Sequence, residues 1–139
     1  MIVVLAILAA IALPKFASLA SSARIASIEG IAGVMRSTIM IMKNKAYVSG
    51  LSIVDANPGV GQANYVIETE AGTSEVDWRN LCPESQAELG DALSMLDHIG
   101  LAVTQDLIAN VSNQYTRVGY DIQGRGPATA NGCYVTYDS

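Results

Sequence analysis

The chain has 139 residues, half of them apolar and only 15% charged, with a formal net charge of −5. The acidic balance argues against nucleic acid as a partner, because too few Lys and Arg remain to neutralise phosphates. Two cysteines and a single histidine, His98, leave too few ligands for a His/Cys metal cluster, and no cofactor motif is present. No Ser/His/Asp or Cys/His set marks a hydrolase.

The apolar residues are gathered at the start, where residues 1–13 carry no polar side chain. A bilayer-spanning helix needs about 20 apolar residues, a length reached only by running on through Pro14 and Lys15. A secretory signal peptide is the competing explanation, since small residues at 17–23 offer a cleavage site. No positive segment precedes the apolar run, however: Met1 is followed at once by Ile2. The segment is therefore expected to be a retained apolar helix.

From Ser22 the pattern turns amphipathic. Ile25, Ile28, Ala32, Met35, Ile39, Met42 and Ala46 alternate spacings of three and four, and Ile31, Val34, Thr38 and Ile41 widen the apolar face. Ser22, Glu29, Arg36 and Lys43 form a polar stripe opposite. The pattern stops at Ser49 and Gly50, a helix end. Joined to residues 1–21, it predicts one rod of about 70 Å, kinked where Pro14 removes a backbone hydrogen bond. Such a rod is too long for a chain of this size to enclose, so its first half must lie in lipid or against other copies. Charge divides along the same line: residues 1–50 hold five bases and one acid, the remainder three bases and twelve acids. A basic stem and an acidic head attract one another, an effect weakened by salt.

Beyond Gly50, residues 55–61 are rich in turn formers, and Tyr65–Thr69 has the composition of a short strand. Pro83–Ile99 is expected to be a second helix, with Leu89, Leu93, Met95 and Leu96 on its apolar side and Gly100 at its end. Strands are expected at Leu101–Thr104, Tyr115–Ile122 and Cys133–Tyr137, with turns at Gly124–Pro127 and Asn131–Gly132. The expected class is α+β: a long N-terminal helix on a small antiparallel sheet with a second helix beside it. Residues 1–21 would protrude, and residues 22–139, including the amphipathic half 22–48, would form the head.

The run LAILAAIALPKF at residues 5–16 strongly resembles the N-terminal signature of bacterial type IV pilins. The later order of amphipathic half-helix, variable loop, small sheet and C-terminal cysteine pair is similar too. The ending CYVTY at residues 133–137, with the helix expected after Cys82 and Pro83, resembles the mannose-sensitive haemagglutinin type of pilin within the type IVa group. Pilins of this kind begin with a short segment carrying an N-methylated phenylalanine and a glutamate. This chain starts inside the apolar run, which is expected to reflect truncation, and that glutamate maps onto no residue here. The resemblance implies the pilin fold and self-assembly into helical surface filaments for adhesion and motility. It implies burial of Ile2, Val3, Leu5, Ile7, Leu8, Ile11, Pro14 and Phe16 in the filament core. An inner-membrane pool would precede assembly, and pilus assembly machinery would act on it. The stretch from Ala6 to Pro14 is where such helices loosen on assembly, although Ala6 replaces the glycine often found there.

The cysteine pair points to one disulfide between Cys82 and Cys133, closing a loop of about 50 residues and stabilising the head by roughly 4 kcal/mol. Two free thiols are the alternative. A type II secretion pseudopilin is the nearest rival function, disfavoured because such subunits usually rely on a calcium loop. A secreted domain with a cleaved leader is the third. Trp78 is expected to serve core or interface packing rather than sugar stacking, and His98 to be a helix C-terminal cation or a surface residue.

Overall fold

The computed structural model describes residues 2–122 and 131–139. Its dominant element is α1, a single helix from Ile2 to Val48. At 1.5 Å per residue its 47 residues span about 70 Å, with Pro14 inside it. The helix ends as its sequence demands. Gly50 takes a φ of 88°, its N–H donates to Tyr47 O, and the N–H of Leu51 donates to Ala46 O. That double bond is the Schellman arrangement, and Leu51 packs beside Ala46 as the motif requires.

The head is built on two antiparallel sheets. β1 (Val66–Thr69) pairs with β2 (Gly72–Glu75), and β3 (Ile108–Val111), β4 (Tyr115–Asp121) and β5 (Cys133–Asp138) form a second sheet in that order. A short helix, α2 (Met95–Ile99), completes it. The class is α+β, with a long N-terminal apolar helix and a small antiparallel sheet. Two apolar clusters sit on α1 one after the other. Ile31 and Met35 pack with Met95, Val118 and Tyr137, while Met42 and Ala46 pack with Ile67, Val76 and Leu81.

The helical stripe read from the sequence faces these clusters, but it begins to pack only at Ile28, since Ile25 remains 51% exposed. Of the second row, Ile31 is buried, whereas Val34, beside Ile99 and Leu101, and Ile41 remain largely exposed. Strands at 65–69, 115–122 and 133–137 are found within a residue or two. The turn expected at Gly124–Pro127 lies outside the described residues.

Three expectations are corrected. The second helix is confined to Met95–Ile99, because residues 83–93 spend their backbone groups on β2 instead. Glu84 N–H donates to Glu75 O, Leu93 N–H to Thr73 O, and the Glu75 carboxylate accepts the N–H groups of Glu88 and Leu89. With those donors taken, an i→i−4 ladder cannot form over the same stretch. Leu101–Thr104 is irregular, closed into a turn by Thr104 and Leu107, and the edge strand comes later, at Ile108–Val111.

The third correction concerns Cys82 and Cys133, which are both free. Cys82 adjoins Pro83, whose carbonyl accepts the Tyr137 hydroxyl at 2.5 Å, so it lies beside the far end of β5. Cys133 opens that strand four residues earlier, about 13 Å away at 3.3 Å per residue. It faces Ala20, Ser21, Arg24 and Ile25 of α1, whereas Cys82 feels the charge of Lys43, roughly 28 Å further along the helix. A disulfide requires Cα atoms within about 7 Å. The tie expected of it is made by hydrogen bonds: Tyr137 to Pro83 O, and Arg79 Nη2 to Ser139 O at 3.3 Å.

β4 and β5 close together at Gly119, where the register shifts before Asp121. A Cβ there would overlap the Cys133 carbonyl and the Tyr134 backbone, so only glycine allows the pairing.

Two outcomes follow. Unreduced protein treated with a maleimide under denaturing conditions should gain two adducts by mass, and protein gaining none until reduced would restore the staple. Gly119→Ala should lower the thermal midpoint of the head by roughly 5–15 °C, from about 1–3 kcal/mol of overpacking; an unshifted melt would show that the strands can part without cost.

Candidate assembly surface

From Val3 to Ser27, every described side chain of α1 is exposed apart from a half-buried Ala12. Val3, Val4, Ile7, Leu8, Leu13, Phe16 and Leu19 keep 56–70% of their surface open. Ile2, Leu5 and Ile11 lie on the same helix, and Pro14 is exposed within it. The structure thus presents the described members of the expected core-packing set on one unpartnered rod. Among the described residues, α1 is the one helix long and apolar enough to cross a membrane, and none of its qualifying window is buried by the rest of the chain. A contiguous apolar surface of this extent marks a site of contact with lipid or protein.

The polar residues of the rod are arranged to tolerate a dry environment, a feature the sequence pattern did not reveal. Ser18, Ser22, Ser27 and Ser37 donate their hydroxyls to the carbonyls of Lys15, Ser18, Ala23 and Gly33 at 2.9–3.1 Å. A hydroxyl satisfied within its own helix makes no demand on water. Lys15 is exposed and can extend its ammonium away from an apolar contact.

The head first grips the rod at Arg24, whose guanidinium lies 5.1 Å from the Tyr120 ring centre. Beyond that point the exposed surface of α1 is mixed, with apolar residues among the exposed Glu29, Arg36, Ser37 and Asn44. Val34, Ile41 and Val48 recur every seven residues, 48%, 64% and 88% exposed. Gly30 and Gly33 leave open space beside them. Single apolar residues therefore stay exposed past the point where the head begins, but the continuous apolar surface belongs to the first half of the rod.

The remaining singled-out residues lie in the head. His98 is half-buried at the end of α2, its Nε2 2.7 Å from the Ser74 hydroxyl. That hydroxyl also reaches Leu93 O at 3.2 Å, and Ser74 has no exposed surface, so no substrate carbonyl can approach it. Burial lowers the His98 pKa. Asp97, whose carboxylate accepts the Ser94 N–H and hydroxyl at 2.8 and 2.7 Å, is lowered by those bonds. Trp78 belongs to neither apolar cluster; it is half-buried with the Arg79 guanidinium 5.6 Å from its ring centre. Among the described residues, no group of three His, Cys, Asp or Glu side chains is placed to hold a metal ion.

Comparison with known protein families, curated proteins and solved structures gives no match.

Burial, helped by the charges of Asp77, Glu75 and Glu88 and opposed by Arg79, pushes Glu84 up to about 7. Its folded value lies above the unfolded one, so its contribution to stability is full below about 4.5 and is lost as pH rises through about 7. His98 works in the opposite sense, its contribution present above about 6.5 and lost on acidification. Glu84→Gln should therefore raise the thermal midpoint at pH 8 and have little effect at pH 4.5. A midpoint shift of equal size at both pH values would show that the carboxylate carries no penalty in the fold.

Proposed function

We propose that the chain is the structural subunit of a type IV pilus, with the pilin fold, assembling through its apolar half-helix into a surface filament of identical copies. The observation that carries this reading is the continuity of α1: one helix whose second half is packed by its own head and whose first half, equally apolar, is packed by nothing. The signature at residues 5–16 supports the pilin assignment over other membrane-anchored domains. In the proposed filament, Ile2, Val3, Leu5, Ile7, Leu8, Ile11, Pro14 and Phe16 lie at the centre with heads outward, and before assembly the same helix resides in the inner membrane. Machinery that lifts it from lipid into the fibre is the implied partner. The argument from a cysteine staple, which separated a pilus from a secretion filament, no longer has force. The choice of pilus rests on the N-terminal resemblance.

Seven large exposed side chains, each stabilised by roughly 1.5–3 kcal/mol on full burial, supply on the order of 10–20 kcal/mol per subunit. Ile7→Asp or Leu8→Asp should therefore abolish fibres in sheared cell-surface material examined by electron microscopy, while circular dichroism shows a folded head. Normal fibres from either variant, or a native protein recovered as a soluble monomer beginning near Ser21, would overturn the proposal.

A further inference from the structure

An open apolar groove of about 270 Å³ lies on the flank of α1, where the first apolar cluster begins to cover the helix. One bank is α1 itself, through Ser27, Gly30, Ile31 and Val34; the other is Ile99 at the end of α2 and Leu101 just beyond it. Ser27 is the one polar side chain of this lining, and its hydroxyl already donates to Ala23 O at 3.0 Å. The groove is smaller than most cavities that hold small organic molecules, and it offers no polar group to orient one. What it can take is an apolar side chain.

Among the described residues, the apolar helix surface left without a partner is the first half of α1. It cannot reach the groove of its own molecule, because residues 2–48 form one uninterrupted helix and the groove lies further along the same shaft. A second copy can supply it. Charge favours that occupant over the surface of an anionic bilayer. Asp97 and Asp106 are exposed on the segment that carries Ile99 and Leu101, and no Lys or Arg stands between Leu81 and Thr116. The rod, for its part, has Lys15 as its sole charged side chain before Arg24. Next to Lys15 is Phe16, the chain's single phenylalanine, 69% exposed. The Lys15 stem is long enough to carry its ammonium clear of an apolar contact made by its neighbour. Gly30 fits the same picture. A Cβ added there would meet nothing within 4 Å, so the head gives no reason for a glycine that weakens the helix. A second helix backbone passing close by would give one.

We propose that this groove receives the apolar half-helix of a second copy of the chain, with Phe16 seated against Gly30 and Val34 and Lys15 turned toward Asp97 and Asp106. The inference rests on the filament reading and adds a register to it. With Phe16 of one rod level with Gly30 of its neighbour, parallel rods are offset by about 14 residues, or about 21 Å at 1.5 Å per residue.

The test has two arms, both on the full chain. In the first, Phe16 is replaced by benzoylphenylalanine, sheared fibres are irradiated, and the adducts are mapped by mass spectrometry. Dimers joining position 16 of one copy to residues 27–34 or 99–101 of another are expected. Adducts found only on lipid, only within one chain, or only on the first half of another rod overturn the proposal. In the second arm, Gly30→Leu fills the groove from a position where the head has space for it. It should leave the thermal midpoint unchanged and cut fibre yield at least tenfold. Gly33→Leu makes the same change in open space outside the groove lining and should keep the yield within about twofold of native. Equal yields from the two variants remove the groove from assembly while native fibres leave the filament reading standing. A native chain that forms no fibres overturns both.

Discussion

A helix of about 70 Å attached to a head that can cover only part of it is the constraint on which everything else depends. The head clasps α1 from Arg24 to Ala46, and no described contact reaches the turns before Ala20. Water cannot serve as the permanent solvent for Val3, Ile7, Leu8 and Phe16, so lipid or protein must. The energies are instructive. Burial worth roughly 10–20 kcal/mol per subunit is comparable with the roughly 4–15 kcal/mol lost in immobilising a partner. A single pairwise contact that buries a fraction of the surface would be marginal. In the filament proposed above, a lattice in which each rod touches several others would pass that threshold.

The head solves a different problem, that of cohering with few residues and without a covalent cross-link. Its long loop after β2 is bound down strand-fashion, with the buried Glu75 carboxylate collecting two loop N–H groups. The last residues are tied from several directions: Tyr137 to Pro83 O, Ser139 N–H to Gln114 O, and Arg79 to Ser139 O. Burial raises the Tyr137 pKa, keeping the phenol a donor. Hydrogen bonds of this kind are individually worth about 1 kcal/mol, and their value lies in number and in the cost of leaving buried partners unmade.

What could be read from the sequence was what local periodicity and composition control. The 28/35/42/46 stripe, the helix stop at Gly50 and the strands beginning near Tyr115 and Cys133 all follow from side chains a few positions apart. The exposed apolar rod was foreseeable because no polar residue interrupts residues 1–13. Residues 83–93 misled because Pro83 and the following acids look like a helix start, while their real partners lie on β2, about ten to twenty positions earlier in the chain. The cysteines misled for a related reason: the spacing of 82 and 133 says nothing of which end of β5 each approaches. Val34 and Ile41 carry the right period yet stay exposed, since a stripe of two rows does not disclose how much of each row a small head will cover. The groove beside Gly30 brings α1 together with Ile99 and Leu101 from a distant part of the chain, and no local pattern could have announced it.

One further consequence comes from the way α1 is held. The backbone bonds beyond Val48 close the helix upon itself, and the clasp on the sheets is made by side chains such as Met35 and Met42. A pull on the apolar half would therefore load both clusters in shear, side by side along one shaft, instead of peeling a hydrogen-bonded ladder rung by rung. Methionine, unbranched and adaptable, is suited to such a bearing because it can re-seat after small displacements. The head is in mechanical terms a double collar on a shaft, and slippage would have to break both collars at once.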